Sequence, residues 1–294
     1  YVKSPLNFTG GKYKIINELI NIFPKNMNRF VDLFCGGLNV SVNVHAKSIL
    51  ANDHMRHVVD LLKMFKTYDS KKLLKKINDV ITTNKLSQTG KYGYEKYKTN
   101  SSRGVAHFNK KKYLALRDLY NRSKEKDVIL LYVLIIFSFN NQIRFNSNSE
   151  FNLPVNKRDF TNNMQQNLIK FTNKLKTLNI ELTNYDYSSL KIKKSDFIYA
   201  DPPYLVSTAT YNENGGWDEQ KDKQLLSYLD KIDKKGIKFA LSNALENKGK
   251  INNFLIDWSN KYKIHELERS YHNSNYNILE KNNKNTKEVV ITNY

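Results

Sequence analysis

The tetrapeptide Asp201-Pro202-Pro203-Tyr204 is the segment of this sequence whose residue types most directly suggest chemistry. It follows the apolar run 197–200, which is typical of a buried strand. Two consecutive prolines cannot donate hydrogen bonds and end that strand, so Asp201 is expected at its carboxyl end. The Asp201 carboxylate and the Pro202 carbonyl can each accept a hydrogen bond from an amino group, while Tyr204 can stack on a ring. The segment is a candidate site for a planar amino-bearing ring; the alternative is a purely structural Pro-Pro turn.

Glycine turns lie among the elements that precede this segment. The stretch 7–12 contains two glycines and a lysine and opens a helical pattern of apolar residues over 15–23. Residues 30–34 predict a buried strand, residues 35–39 a tight glycine turn, and residues 40–44 the start of a second helix. This order of strand, glycine loop and helix is typical of an α/β protein.

Acidic residues follow several of the predicted strands. The run 48–51 predicts a strand with Asp53 just beyond it, and 180–183 predicts another that Asp186 follows. Ligands of open α/β sheets bind at the carboxyl ends of the strands. A carboxylate there can accept hydrogen bonds from both hydroxyls of a ribose. The sequence therefore predicts an α/β domain with a ligand site at this edge, completed by further strands at 237–241 and 288–292.

The middle of the chain departs from strand and helix alternation and becomes helical and basic. Apolar residues recur at helical spacing among lysines, and a loop rich in glycine, tyrosine and lysine interrupts them at 87–103. Helices are predicted at 109–121 and 127–139, the second almost wholly apolar. A polar stretch begins at Asn140 and offers side chains that can contact base edges or phosphates in a major groove, namely Gln142, Arg144, Asn146, Asn148 and Asn152.

Composition favours a polyanionic partner. The chain has 294 residues with 48 Lys and Arg against 28 Asp and Glu, a formal charge of +20. Such an excess points to nucleic acid more readily than to a small acidic substrate, although an AT-rich genome would also enrich lysine and asparagine. Because Cys35 is the only cysteine, an internal disulfide and a cysteine zinc cluster are excluded, which fits a reducing cytoplasm.

Other classes of protein are disfavoured by the same inventory. The apolar run 128–139 is shorter than the ~20 residues of a membrane span and predicts a buried helix instead. The sequence starts at Tyr1 with no basic-then-apolar signal, so no export is expected. The six histidines and Cys35 show no spacing typical of a catalytic triad or a metal site, and no metal is expected.

Taken together, these motifs resemble the alpha group (D12 class, Dam-type) of DNA adenine-N6 methyltransferases. The resemblance rests on the segments 8–12, 32–37, Asp53 and 201–204 in this order, and extends to 139–154 and the final Val-Ile-Thr-Asn-Tyr. It implies a Rossmann-like, S-adenosylmethionine-dependent methyltransferase fold with a mixed sheet and an inserted, mainly helical target-recognition domain. The implied boundaries are a catalytic domain at 1–58 and 170–294 and an insertion at 59–169 with a polar hairpin near 139–154.

The resemblance also implies roles for particular residues. Asp201, Pro202 and Tyr204 would be catalytic. DNA contacts would come from the start of the hairpin, namely Phe139, Asn140, Asn141, Gln142, Arg144 and Asn146. S-adenosylmethionine would be bordered by Phe8, Gly10, Gly11, Lys12, Asp32, Phe34, Gly36, Gly37, Asp53, Asp186 and Asp201.

The implied reaction is methylation of adenine N6 at a specific site in double-stranded DNA, within a restriction-modification system that has a cognate restriction endonuclease as a possible partner. The target base would be flipped out of the duplex. Leu38 stands where many relatives have a third glycine, and Asn141 and Gln142 replace the usual glycine and leucine, so the recognised sequence need not be GATC. The alternatives are an N4-cytosine DNA methyltransferase, an RNA or protein-glutamine methylase, and a basic DNA-binding protein without activity.

Overall fold

The computed structural model describes residues 1–8, 10–206, 216–267 and 286–294. The α-helices are α1 (Ile16–Ile22), α2 (Arg56–Thr67), α3 (Ser70–Thr83), α4 (Thr89–Tyr92), α5 (Ala106–Arg122), α6 (Val128–Phe137), α7 (Asn162–Lys176), α8 (Glu219–Lys234) and α9 (Asn253–Ser259). The strands are β1 (Met27–Asp32), β2 (Ala46–Asn52), β3 (Ile180–Thr183), β4 (Asp196–Ala200), β5 (Lys238–Asn247), β6 (Lys250–Ile251), β7 (Lys263–Glu266) and β8 (Thr286–Thr292). No helix in these ranges is long and apolar enough to cross a membrane.

The strands form one mixed sheet in the order β3-β2-β1-β4-β5-β8-β7, with β6 paired to β5. The pairs among β1 to β5 are parallel, whereas β8 runs antiparallel to both β5 and β7. Because the β1 register pairs Asp32 with Ala51 and Tyr199, the carboxyl ends of β1, β2 and β4 lie side by side. The expected mixed sheet of a Rossmann-like methyltransferase is confirmed, and its functional edge carries the segments that follow these strands.

The chain divides into two compact units. The sheet unit comprises Lys12–Cys35, Asn43–His54 and Asn179–Tyr294, and contains the whole sheet with α1, α8 and α9. Its core packs the apolar face of α8 against buried strand residues such as Val31, Ile198 and Phe239. Continuous apolar strands of this kind are buried on both faces, which is why the parallel strands were recognisable in the sequence.

The helical unit comprises Tyr1–Gly11, Gly36–Val42 and Met55–Leu178, and contains α2 to α7. Helix α6 is buried nearly throughout, and the Phe65 ring of α2 meets Tyr132 of α6 and Phe171 of α7 edge to face. The unit takes in all of the predicted insertion at 59–169, and the domain boundaries stay a prediction.

A buried polar network anchors the loop that follows α3. Asp159 is 1% exposed and accepts hydrogen bonds from Ser87 Oγ at 2.8 Å, Thr89 N at 2.7 Å and Thr89 Oγ1 at 2.7 Å. Asn109 of α5 joins it by accepting from Ser87 N and donating to Ser87 Oγ. The predicted loop 87–103 is therefore held at its start, and it contains the short helix α4 and a 3₁₀ turn at Glu95–Tyr97.

Two local predictions differ from the structure. The second helix expected from residue 40 is absent, since residues 39–43 form turns with Val42 N bonded to Leu38 O. Leu38 has a positive φ of 68°, which a helix does not allow. The β-branched valines at 40, 42 and 44 also disfavour a helix, so the segment forms turns instead. The expected hairpin at 139–154 is irregular, with single antiparallel bridges at Ser138–Val155 and Phe145–Phe151.

Candidate active site

Asp201 lies where the sequence places it, directly after β4 and beside a buried lysine. Lys12 Nζ is 2.7 Å from Asp201 Oδ1, and the lysine side chain is only 3% exposed. Asp201 keeps 20% of its side chain exposed, whereas the following Pro202 is buried. A buried ammonium needs a charged partner, so Lys12 holds this carboxylate in one orientation.

Tyr204 and Glu288 complete the cluster. The Tyr204 hydroxyl lies 3.2 Å from Asp201 Oδ1 and 2.9 Å from Glu288 Oε1, and Lys12 Nζ lies 3.3 Å from the same glutamate oxygen. The ammonium also sits 4.9 Å from the centroid of the Tyr204 ring. Glu288 was not among the predicted site residues, because the sequence around it predicts an ordinary apolar strand. The feature that could have identified it is a charged residue at the start of that strand.

Burial and charge set the protonation of this cluster. Burial raises the pKa of the Asp201 carboxyl above its ordinary value, Glu288 adds to the rise, and the Lys12 ammonium opposes it. Burial and the same two carboxylates raise the pKa of Tyr204 well above its ordinary value. Tyr204 therefore remains a hydroxyl donor at neutral pH, and Asp201 is a carboxylate that loses its charge at a higher pH than a free aspartate.

The loop after β1 carries an aromatic group. The Phe34 ring meets Tyr187 with centroids 5.2 Å apart and Trp217 edge to face at 5.6 Å. Tyr187 and Trp217 were not among the predicted site residues. Tyr187 begins the 3₁₀ turn that follows β3, and Trp217 lies just before α8. Asp32, at the end of β1, is 1% exposed and contributes to raising the pKa of Cys35.

Asp53 and Asp186, two carboxylates predicted to border S-adenosylmethionine, follow β2 and β3. Asp53 N donates to Thr183 O at 3.1 Å, and Asn184 Nδ2 donates to Asp53 O at 2.8 Å, so the backbone of Asp53 is fixed on both sides. Asp186 Oδ1 accepts from Ser188 N at 2.8 Å, which caps the 3₁₀ turn Tyr187–Ser189. The structure thus gives Asp186 a local structural role beside the one predicted for it.

Asn52 joins the ends of three strands. Its Nδ2 donates to Leu33 O at 3.2 Å and Tyr185 O at 3.0 Å, while its Oδ1 accepts from Thr183 Oγ1 at 3.0 Å and Tyr185 N at 2.9 Å. These four bonds use the full capacity of a buried amide. One side chain therefore sets the spacing of the segments that carry Phe34, Asp53 and Asp186.

Replacing Asn52 by leucine should weaken cofactor binding as well as stability. The substitution keeps the branched shape but leaves the carbonyl of Leu33 and the hydroxyl of Thr183 buried without their partner, at a cost of about 1–3 kcal/mol each. We expect at least a tenfold higher dissociation constant for S-adenosylmethionine in isothermal titration calorimetry. Asn179→Ala is the matched control, because the exposed side chain of Asn179 donates to Lys47 O at the opposite ends of the strands. Equal affinity in both variants would contradict this role.

In the helical unit, the predicted cofactor glycines surround Phe8. Gly11 N donates to Phe8 O at 3.2 Å, and a Cβ at Gly37 would lie 3.2 Å from the Phe8 ring. Gly36 has a positive φ of 45° and Gly10 one of 82°, conformations that favour glycine. At Gly37 the missing side chain makes room for the packing of Phe8 itself. Thr9 of this motif lies outside the described residues.

The predicted DNA-contacting residues differ in how far their side chains are already engaged. Asn141 Nδ2 donates to Ile136 O at 2.6 Å at the end of α6, and Asn146 Oδ1 accepts from Asn148 N and Glu150 N within its own turn. Arg144 Nε donates to Asn152 Oδ1 at 2.9 Å. The remaining candidates are more open, with Phe139 51% exposed, Asn140 exposed and Gln142 half-buried.

Comparisons with known proteins identify several similar sequences. Modification methylase StsI of Streptococcus sanguinis is 39% identical over 307 residues, which cover 100% of this chain and 43% of that relative. Type II methyltransferase M.FokI of Planomicrobium okeanokoites is 37% identical over 305 residues, which cover 100% of this chain and 43% of that protein. Modification methylase LlaI of Lactococcus lactis is 30% identical over 300 residues, with coverage of 99% and 43%. The chain therefore spans less than half the length of these relatives.

A family profile described as D12 class N6 adenine-specific DNA methyltransferase matches residues 8–273. This range starts before Lys12 and extends beyond the Asp201 segment, so it takes in strands β1 to β7 and the whole of α2 to α7, whereas β8 lies beyond it. From a match over most of its length, we conclude that the chain belongs to the family of D12 class N6 adenine-specific DNA methyltransferases.

Proposed function

We propose that this chain transfers a methyl group from S-adenosylmethionine to N6 of adenine at a specific site in double-stranded DNA. The observation that carries the proposal is the orientation of Asp201. Lys12 and Tyr204 both contact its carboxylate at Oδ1, and no donor among the described residues bonds Oδ2. A carboxylate oxygen at the carboxyl end of β4 is thus available to an incoming amino group.

The residues at the strand ends fit S-adenosylmethionine by their chemistry. Asp53 offers a carboxylate of fixed backbone position to the two ribose hydroxyls, and the aromatic group of Phe34, Tyr187 and Trp217 suits a purine ring. In the helical unit, a Cβ at Gly36 would contact the Phe8 ring at 3.9 Å, and Gly36 itself is half-buried. Asp32, Asp186, Gly10, Gly11 and Gly37 remain candidates for the same cofactor.

The chain's own groups would activate and orient the target nitrogen. When bound, S-adenosylmethionine supplies a methyl group on a positively charged sulfur. Asp201 and the Pro202 carbonyl would accept the two amino hydrogens of adenine, which aligns the nitrogen lone pair with the methyl carbon. Tyr204 would stack on the ring. The nitrogen gains a methyl group and gives up one proton, for which the Asp201 carboxylate is the nearest acceptor.

The helical unit would read the DNA. Adenine N6 is buried in the base stack, so the base has to leave the duplex at a cost of a few kcal/mol. The exposed Phe139 ring and the side chains of Asn140, Gln142 and Arg144 can contact base edges or phosphates, and the formal charge of +20 favours a polyanion. Asn141 and Asn146 would act mainly by shaping this segment.

A restriction-modification system is the proposed setting. Two of the relatives described above are named modification methylases and one a type II methyltransferase. We accordingly expect a restriction endonuclease of the same specificity to accompany this chain. The cytoplasm is the expected location, since a DNA substrate and a reduced, buried Cys35 both fit it.

The test is transfer of a labelled methyl group to DNA. Purified protein, labelled S-adenosylmethionine and mixed-sequence duplex DNA are incubated, and the DNA is digested to nucleosides. Label in N6-methyl-2′-deoxyadenosine supports the proposal. Label in N4-methyl-2′-deoxycytidine, or transfer to RNA or protein when these are offered in place of DNA, would replace it by one of those activities. Absence of transfer together with no thermal shift in saturating S-adenosylmethionine would indicate a DNA-binding protein without activity.

A further inference from the structure

Glu288 is a buried carboxylate whose place in the reaction is not explained by the Asp201 segment alone. It lies on β8 with 1% of its side chain exposed, opposite Ala244 of β5. The pairing of these strands shifts between Ala244 and Glu246, so a bulge lies beside the glutamate. Bulges re-aim the side chains of a strand, which accounts for a charged group turned inward from an otherwise apolar run.

The Tyr204 hydroxyl is held more closely by Glu288 than by Asp201. It has one hydrogen to donate, and its oxygen is 2.9 Å from Glu288 Oε1 against 3.2 Å from Asp201 Oδ1. A hydrogen bond at the far end of the ring resists rotation about the Cα–Cβ bond, which would carry the hydroxyl away from its partner. Glu288 therefore fixes the position of the ring that would stack on the flipped base.

Glu288 also shares the ammonium of Lys12. Nζ lies 2.7 Å from Asp201 Oδ1 and 3.3 Å from Glu288 Oε1, so one positive charge stabilises two carboxylates. A carboxylate paired alone with a buried ammonium is a weaker hydrogen-bond acceptor, because its charge is already neutralised. With Glu288 present, Asp201 retains more of its negative charge for the amino group.

We propose that Glu288 is a positioning residue for methyl transfer, acting through Tyr204 and Lys12 on the Asp201 carboxylate. This inference rests on the proposed function for its chemistry. It assigns to the antiparallel strand β8 a direct part in preparing the site, by fixing the stacking ring and by keeping Asp201 a strong acceptor.

A pH profile separates this role from a purely structural one. The titratable groups that face Asp201 are Lys12 on the turn before α1, Glu288 on β8, Tyr204 on its own segment and Tyr199 on β4. Glu288 raises the pKa of Asp201, so its neutralisation lowers that pKa. The acidic limb of kcat in Glu288→Gln should consequently move to lower pH.

The expected kinetic effect is on turnover rather than on binding. In Glu288→Gln we expect kcat to fall about tenfold or more, with KM for DNA and for S-adenosylmethionine within about threefold of the original values. Glu246→Gln is the matched control, since it removes a glutamate beside the same bulge and should leave kcat and its pH profile unchanged. An unchanged kcat and acidic limb in Glu288→Gln would overturn the proposal.

Two further measurements keep the inference testable on its own. Tyr204→Phe removes the hydroxyl that bonds Glu288. The double variant, Glu288→Gln with Tyr204→Phe, should lose no more of kcat than the more impaired single variant. Additive losses would contradict a shared role. Crystal structures of the original protein and of Glu288→Ala, which removes both acceptor oxygens, need no activity. Displacement of the Tyr204 ring in Glu288→Ala supports the proposal, and an unmoved ring opposes it, even if the original protein transfers no methyl group to DNA and the proposed function fails.

Discussion

Replacing Asp201 by alanine should reduce methyl transfer to DNA by roughly a thousandfold, the loss typical of removing a group that stabilises a transition state. The variant lacks the oxygen that would accept an amino hydrogen, and it leaves Lys12 with Glu288 as its remaining partner in the cluster. Because Asp53 and the aromatic group at Phe34 are untouched, affinity for S-adenosylmethionine should change far less than kcat. Labelled transfer under single-turnover conditions measures the chemical step directly.

Controls for Asp201 follow from the same geometry. Asp257→Ala removes an exposed aspartate of α9 and should leave the rate unchanged. In the original protein, activity should decline on acidification at a higher pH than the pKa of a free aspartate, because burial raises the pKa of Asp201. A rate within tenfold of the original for Asp201→Ala would remove this residue from the mechanism.

Gly104→Ala should destabilise the protein by about 3 kcal/mol or more, the largest effect on stability that we expect from a single methyl group. Gly104 has a φ of +72°, and a Cβ there would lie 2.3 Å from the carbonyl oxygen of Lys157. That oxygen accepts from Val105 N at 2.8 Å, so relieving the clash breaks a backbone contact between the segment before α5 and the one before α7.

Gly93→Ala separates backbone strain from the clash. Gly93 has nearly the same φ, +71°, but nothing lies within 4 Å of the position of a Cβ. Its ψ of 170° places it in a backbone region that is essentially restricted to glycine, so its substitution should cost only that backbone strain, about 1–3 kcal/mol. Urea unfolding of both variants, followed by circular dichroism, gives the difference. If the two substitutions lower the free energy of unfolding equally, the backbone at Lys157 moves to relieve the clash, and the prediction for Gly104→Ala is wrong.

The position of the Asp201–Tyr204 segment in the fold was predictable because it follows from local physics. Two prolines end a strand wherever they occur, so the position of Asp201 after β4 needed no knowledge of its neighbours. Apolar runs similarly located β1 and β2, and hence Asp53. The roles of these residues as cofactor and substrate contacts stay predictions, since they depend on molecules that bind to the strand ends.

Features set by contacts between distant segments were not predictable in the same way. Glu288 reaches Lys12 and Tyr204 only through the pairing of β8 with β5, which local sequence does not specify. Asn52 looked like the last residue before an acidic turn, and its four bonds depend on the positions of three separate strands. The helix expected after Gly37 failed because Leu38 takes a left-handed conformation that helical periodicity does not reveal.

Strand β8 has a consequence for the order in which the protein acquires activity during translation. Lys12, Asp201 and Tyr204 leave the ribosome well before Glu288, whose strand closes the cluster. A nascent chain therefore carries the whole Asp-Pro-Pro-Tyr motif while the ring of Tyr204 still lacks its anchor. If Glu288 acts as we infer, a polypeptide released before β8 is made would leave genomic DNA unmodified, and activity would arise only once that strand has been synthesised.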